Sequence, residues 1–124
     1  MKKIILPIIV AGLFFSFTAI SFTEVLNAIK SGDAKKVAKY FDNTVEITFS
    51  EKSNSYSKSQ AELVLHDFFK SNNVKNFEVI HKSENASSQY CIGNLITNNG
   101  LFRTTIYMKQ KGGKEVVQEI RFEK

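Results

Sequence analysis

A chain of 124 residues has room for one small domain, and 43% hydrophobic against 23% charged residues is the balance of a folded core. Its single cysteine, Cys91, excludes an internal disulfide framework. A formal charge of +5 is modest beside the dense basic face with stacking aromatics that nucleic acid demands, so no nucleic-acid partner is expected.

The chain opens on Lys2 and Lys3, followed by an almost unbroken apolar run from Ile4 to Ile20. Ala19-Ile20-Ser21 then sets small residues at the two positions a signal peptidase reads. Residues 1–21 therefore read as a secretory signal peptide and residues 22–124 as a single exported domain, periplasmic or secreted. Left uncleaved, the same run would be a membrane anchor, and no other membrane contact is expected. No Cys follows the run to carry a lipid. Losing Lys2 and Lys3 takes the formal charge from +5 to +3, and the remaining lysines read as a solvated surface.

Phe22, Val25, Leu26 and Ile29 recur at helical spacing. Thr23 caps this helix if cleavage follows Ser21. Ser21 with Glu24 forms a capping box if it does not. Ser31-Gly32-Asp33 ends the helix, with Gly32 in the left-handed position and Asp33 capping the next helix. Ala34, Val37, Ala38 and Phe41 form the stripe of that second helix, which Asp42-Asn43 closes. Thr44 to Ser50 alternates as a half-buried strand with Val45, Ile47 and Phe49 on one face. Glu51 to Ser55 reads as a turn or a weak short strand. Ser57 and Gln60 form a capping box ahead of the Ala61, Val64, Leu65, Phe68, Phe69 stripe, and Asn72-Asn73 stops that helix.

From Val74 onward the pattern is all strand. Phe77, Val79 and His81 share one face. Gln89 to Lys111 forms a hairpin turning at Asn98-Asn99-Gly100. Gly112-Gly113 leads into Lys114 to Glu123, where Val116, Ile120 and Phe122 alternate. Placing Phe102, Ile106 and Met108 on the face of Val116, Ile120 and Phe122 demands an odd loop, for which three residues with a left-handed glycine suffice. Cys91, Leu95, Tyr107 and Val117 then make the opposite face apolar too. A second copy of the chain, packed sheet to sheet as a homodimer, would cover it.

Helices followed by a run of strands imply an α+β domain. The order resembles the nuclear transport factor 2-like (cystatin-like) fold, a cone of N-terminal helices packed on a curved, mainly antiparallel sheet. The segments AIKSGDAKKVAKYFD (28–42), YSKSQAELVLHDFF (56–69) and IGNLITNNGLFRTTIYMK (92–109) resemble a family of small exported Bacteroidetes proteins of unknown function. The resemblance implies a fold and an address. It carries no catalytic residues over.

Some relatives of the cone fold are isomerases or dehydratases, which need a buried carboxylate base and an oxyanion donor. Glu46, Glu78, Glu119 and Glu123 alternate away from the apolar faces of their strands. Asp67 is on the polar side of its helix, and Asp33 and Asp42 are used in capping and turns. No carboxylate is left for the cone. His66, His81 and Cys91 do not make a metal set, and no cofactor is expected. The polar residues that could line a pocket are Tyr40, His81, Tyr90, Asn94, Arg103, Thr104 and Tyr107. Arg103, alone mid-sheet among aromatics, could hold a ligand carboxylate or pair across strands with Glu119 or Glu123. The expected role is non-enzymatic binding of a small amphipathic ligand or a protein partner in the cell envelope. The alternatives are an isomerase- or dehydratase-type enzyme using the cone, and a structural or interaction protein whose cone is filled by Phe68, Phe69 and their neighbours.

Overall fold

The computed structural model describes residues 16–124, with side chains from Ser21 onward. Residues 1–15, and with them most of the expected signal peptide, lie outside the described residues. Among the described residues no helix is long and apolar enough to cross a membrane. The elements are α1 (Ser16–Lys30), α2 (Ala34–Ala38), β1 (Phe41–Phe49), β2 (Lys52–Ser57), α3 (Lys58–Ser71), β3 (Val74–Glu84), β4 (Ser88–Thr97), β5 (Gly100–Lys111) and β6 (Lys114–Glu123). One six-stranded sheet runs β2-β1-β6-β5-β4-β3. Among the described residues only the β1–β6 pairing is parallel. The helices pack on one face of this mainly antiparallel α+β sheet, α1 over β3 and β6, α3 over β1 and β2.

The junction of α1 and α2 forms as its residues predict. The Gly32 N–H donates to the Ile29 carbonyl at 3.0 Å and the Asp33 N–H to the Ala28 carbonyl at 2.9 Å, with Gly32 at φ 67°. That is a Schellman ending, which needs the left-handed glycine. The Asp33 carboxylate then accepts the Lys36 N–H at 3.1 Å and caps α2. In the uncleaved chain both Ser21 and Thr23 lie inside α1, which already includes Ser16, the first described residue.

α2 is shorter than its apolar stripe predicts. Phe41, Asp42 and Asn43 belong to β1. The Tyr40 carbonyl accepts the Val117 N–H at 2.7 Å and Phe41 pairs with Val117. Pairing with the last strand wins over another turn of helix. The Ser57–Gln60 capping box is present at the start of α3. Its other end docks on the β4–β5 turn. Asn99 Nδ2 donates to the Ser71 carbonyl at 2.7 Å, and the Asn73 N–H donates to Asn98 Oδ1 at 2.9 Å. The first of these bonds uses a carbonyl that a helix end leaves unpaired.

Two bulges reset the side-chain faces. The β5–β6 loop holds two residues, not three. Lys111 pairs with Lys114, and Gly112 and Gly113 both take positive φ, 59° and 79°. The parity changes inside the strand, where Tyr107 faces Glu119 and Met108 faces Val117, leaving Gln118 as the extra residue. Val117, not Val116, is therefore buried with Ile120 and Phe122. Cys91 and Leu95 sit across from Ile106 and Phe102 and point to the helices as well. Burial raises the Cys91 thiol to about 11, with a smaller opposing effect from the Lys82 charge. A second bulge falls at Ile80, between the Val79–Gly93 and His81–Ile92 pairs. It turns His81 to the face opposite Phe77, and Val79 is 45% exposed.

The cone is filled with aromatic rings. Phe68 stacks on Phe122 at 4.2 Å between centroids and meets Phe49 and Phe102 at 5.2 Å and Phe69 at 5.8 Å. Beside them Gly93 lets the sheet bend beneath Phe77. A Cβ on Gly93 would lie 2.6 Å from the Phe77 ring and 2.8 Å from the Glu78 carbonyl oxygen. The ring can tilt but the backbone oxygen cannot, so Gly93→Ala is expected to destabilise by about 2–3 kcal/mol. Urea unfolding reads this directly, and a midpoint equal to that of the parent would contradict it.

Candidate functional site

The polar residues expected to line a pocket do not share one. Tyr90, Asn94, Arg103 and Tyr107, with His81, lie on the outer face of the sheet, away from the helices. Tyr90 and Tyr107 are cross-strand partners, and the His81 ring is 5.6 Å from that of Tyr90. Thr104 faces inward, fully buried, and donates to the Phe102 carbonyl at 3.1 Å. Tyr40 sits between α2 and β1 and donates its hydroxyl to Glu24. That hydrogen bond, with burial and the charge of Glu24, raises the Tyr40 hydroxyl to about 12.

Arg103 Nε donates to Asn94 Oδ1 at 3.2 Å. Its other neighbour, Glu123, is held instead by Arg121 at 3.2 Å, so the cross-strand ion pair expected of Arg103 does not form. An exposed guanidinium thus shares the outer face with half-buried Tyr90, Ile92, Ile96 and Tyr107, on the side opposite the described helices.

A second feature lies at the inner end of β4, β5 and β6. Glu115, opposite Gln110, is only 6% exposed, and among the described residues neither of its carboxylate oxygens has a hydrogen-bond partner. The Oε1 of Gln89, 1% exposed, is unpartnered too. Buried acceptors without donors are costly and rare. Desolvation, then the like charge of Glu84, pushes the Glu115 carboxyl up to about 7. Glu115 borders a surface cleft of about 690 Å³ that Ser21, Lys39, Tyr40, Lys58 and Lys114 also line. On its rim Asp42 accepts from Lys111 Nζ at 3.0 Å and from Gln118 Nε2 at 3.0 Å. Burial alone would raise the Asp42 carboxyl. The bonds from Gln118, Lys111 and the Asn43 backbone, with the Lys111 charge, outweigh it and hold the group below its ordinary value.

Glu115 is the buried carboxylate that the alternation of β6 hides. With Val116 placed inward, Glu115 falls outward. Two signals in the chain point the other way. Gly112-Gly113 suits a two-residue turn, and the adjacent Val116-Val117 marks a strand whose parity must break.

The model of a family described as a domain of unknown function, DUF4783, matches residues 22–123. The chain belongs to this family. Two crystal structures of DUF4783 family proteins, from Bacteroides ovatus and Bacteroides uniformis, are each 31% identical to the chain over 82% of its length, with TM-scores of 0.79 and 0.80. The matches cover 92% and 94% of those chains. An NTF2-like protein of unknown function from Cytophaga hutchinsonii is similar in fold alone, with 9% identity, a TM-score of 0.61 and coverage of 85% of this chain and 87% of that one. None of the curated proteins matches. This DUF4783 chain thus has the NTF2-like cone that its element order resembles.

Proposed function

We propose that the chain is an exported, non-enzymatic interaction module of the cell envelope that self-associates through the outer face of its sheet. The observation that carries this reading is the filled cone. With Phe68 surrounded by the rings of Phe49, Phe69, Phe102 and Phe122, recognition moves from the interior to the surfaces. The outer face offers half-buried Tyr90, Ile92, Ile96, Tyr107 and Val116 together with exposed Arg103. Around these stand charges of both signs, Glu78, Lys109, Arg121 and Glu123, which a two-fold related copy can meet in complementary pairs. Export is supported by Lys2, Lys3, the run from Ile4 to Ile20 and the Ala19-Ile20-Ser21 ending. The enzymatic alternative has one support, Glu115, whose raised carboxyl is in the range of a general base.

Sedimentation equilibrium tests the self-association. Residues 22–124 are expected to sediment as a dimer at micromolar concentration and Tyr107→Glu as a folded monomer. A monomeric parent would sink the proposal.

A further inference from the structure

We infer that the cleft bordered by Glu115 is the seat of the α-ammonium group that removal of residues 1–21 creates at Phe22. The inference rests on the reading of the chain as exported and processed after Ser21. Ser21, the last residue of the expected leader, and Glu115 line the same cleft. The family model begins at residue 22, the residue that would carry the new amine.

Both oxygens of Glu115, at the border of this cleft, are buried acceptors with no donor among the described residues. An ammonium group brings N–H donors and a positive charge and has nothing to accept with, as at a lysine terminus. The lysines nearby do not fill this need. Lys111 is engaged by Asp42 at 3.0 Å. Lys39, Lys58 and Lys114 are exposed, and none bonds to Glu115 among the described residues. Glu84 adds a like charge, which makes a cation more welcome still.

The helix also gains from the arrangement. Cut before Phe22, α1 keeps Phe22 to Lys30, and Glu24 becomes an acid in its first turn. Acids favour that position, whereas a bare ammonium there opposes the helix dipole. A carboxylate beside the amine cancels the unfavourable part. The precursor then carries an unpaired buried acid, and processing supplies its partner.

The test compares two chains, one beginning at Phe22 and one at Ser16, with the Glu115 carboxyl carbon followed by NMR titration. In the chain from Phe22, Glu115 is expected to titrate below the ordinary glutamate range. In the chain from Ser16, whose amine is displaced by about 9 Å of helix, it is expected to titrate near 7. Equal midpoints in the two chains would overturn the inference. So would failure of the Phe22 chain to fold where the Ser16 chain folds. N-terminal sequencing of protein recovered from cells expressing the full chain tests the underlying reading separately. A first residue of Phe22 supports it, and retention of Met1 removes it whatever the titration shows.

Discussion

Replacing Phe122 by alanine is expected to lower the stability of the fold by about 4 kcal/mol, the usual cost of deleting a buried phenyl group. Phe122 is 1% exposed, stacks on Phe68 at 4.2 Å and on Phe49 at 5.6 Å, and sits on a strand with neighbours on both sides. The site collapses poorly because the backbone of β6 is tied to β1 and β5 and cannot follow the lost ring. Domains of this size lose roughly 4–8 °C of melting temperature per kcal/mol, so the expected drop is roughly 15–30 °C. Calorimetry of the variant against the parent measures it. A loss of under about 1 kcal/mol would mean that the cone end is loosely packed and has room for a ligand.

The second large effect is set by pH. In the chain beginning at Ser16, Glu115→Gln is expected to stabilise the fold by about 3 kcal/mol at pH 8 and to change little at pH 4. The sign follows from the direction of the shift. The folded carboxyl titrates at about 7 against an ordinary value of 4.5, so between these the native state binds more protons than the unfolded one. Stability is fully present below the lower value and is lost as pH rises through the upper one. Glutamine stays neutral and removes that loss. The groups around it are Glu84, which adds to the penalty, and Lys39, Lys58 and Lys114, which stay in solvent. Chemical denaturation across this pH range gives the answer, and parallel curves for parent and variant would contradict it.

Much of the fold is legible in the chain because local chemistry and global packing agree there. Gly32 and Asp33, Ser57 and Gln60, and the alternation of β4 each specify what they form without reference to distant residues. The errors lie where a long-range pairing decides. Phe41 fits the stripe of α2 until β6 offers it a partner in Val117. The bulges at Ile80 and Gln118 invert the faces of whole segments, and only the second has a trace in the chain, the adjacent Val116-Val117. The Gln118 bulge moved Val117 from the expected outer face to the core and brought Glu115 inside, while the two-residue β4–β5 turn pairs odd with even positions and so put Cys91 and Leu95 in the core with Ile106 and Phe102. These registers also left His81, Tyr90, Asn94, Arg103 and Tyr107 together on the outside, a grouping that follows from strand register and not from any motif.

The one parallel pairing joins β1, near the start of the chain, to β6, its end. Strand β1 has β2 on one side and α3 above it, but its other sheet edge stays open, and Ile47 and Phe49 lack their neighbours Ile120 and Phe122, until β6 pairs with it. Contacts this distant in sequence set the pace of folding, because the loop between them must close first. Strands β1 and β6 thus act as a clasp: the sheet stays open along this seam until two strands separated in the chain by β2, α3 and β3–β5 have met.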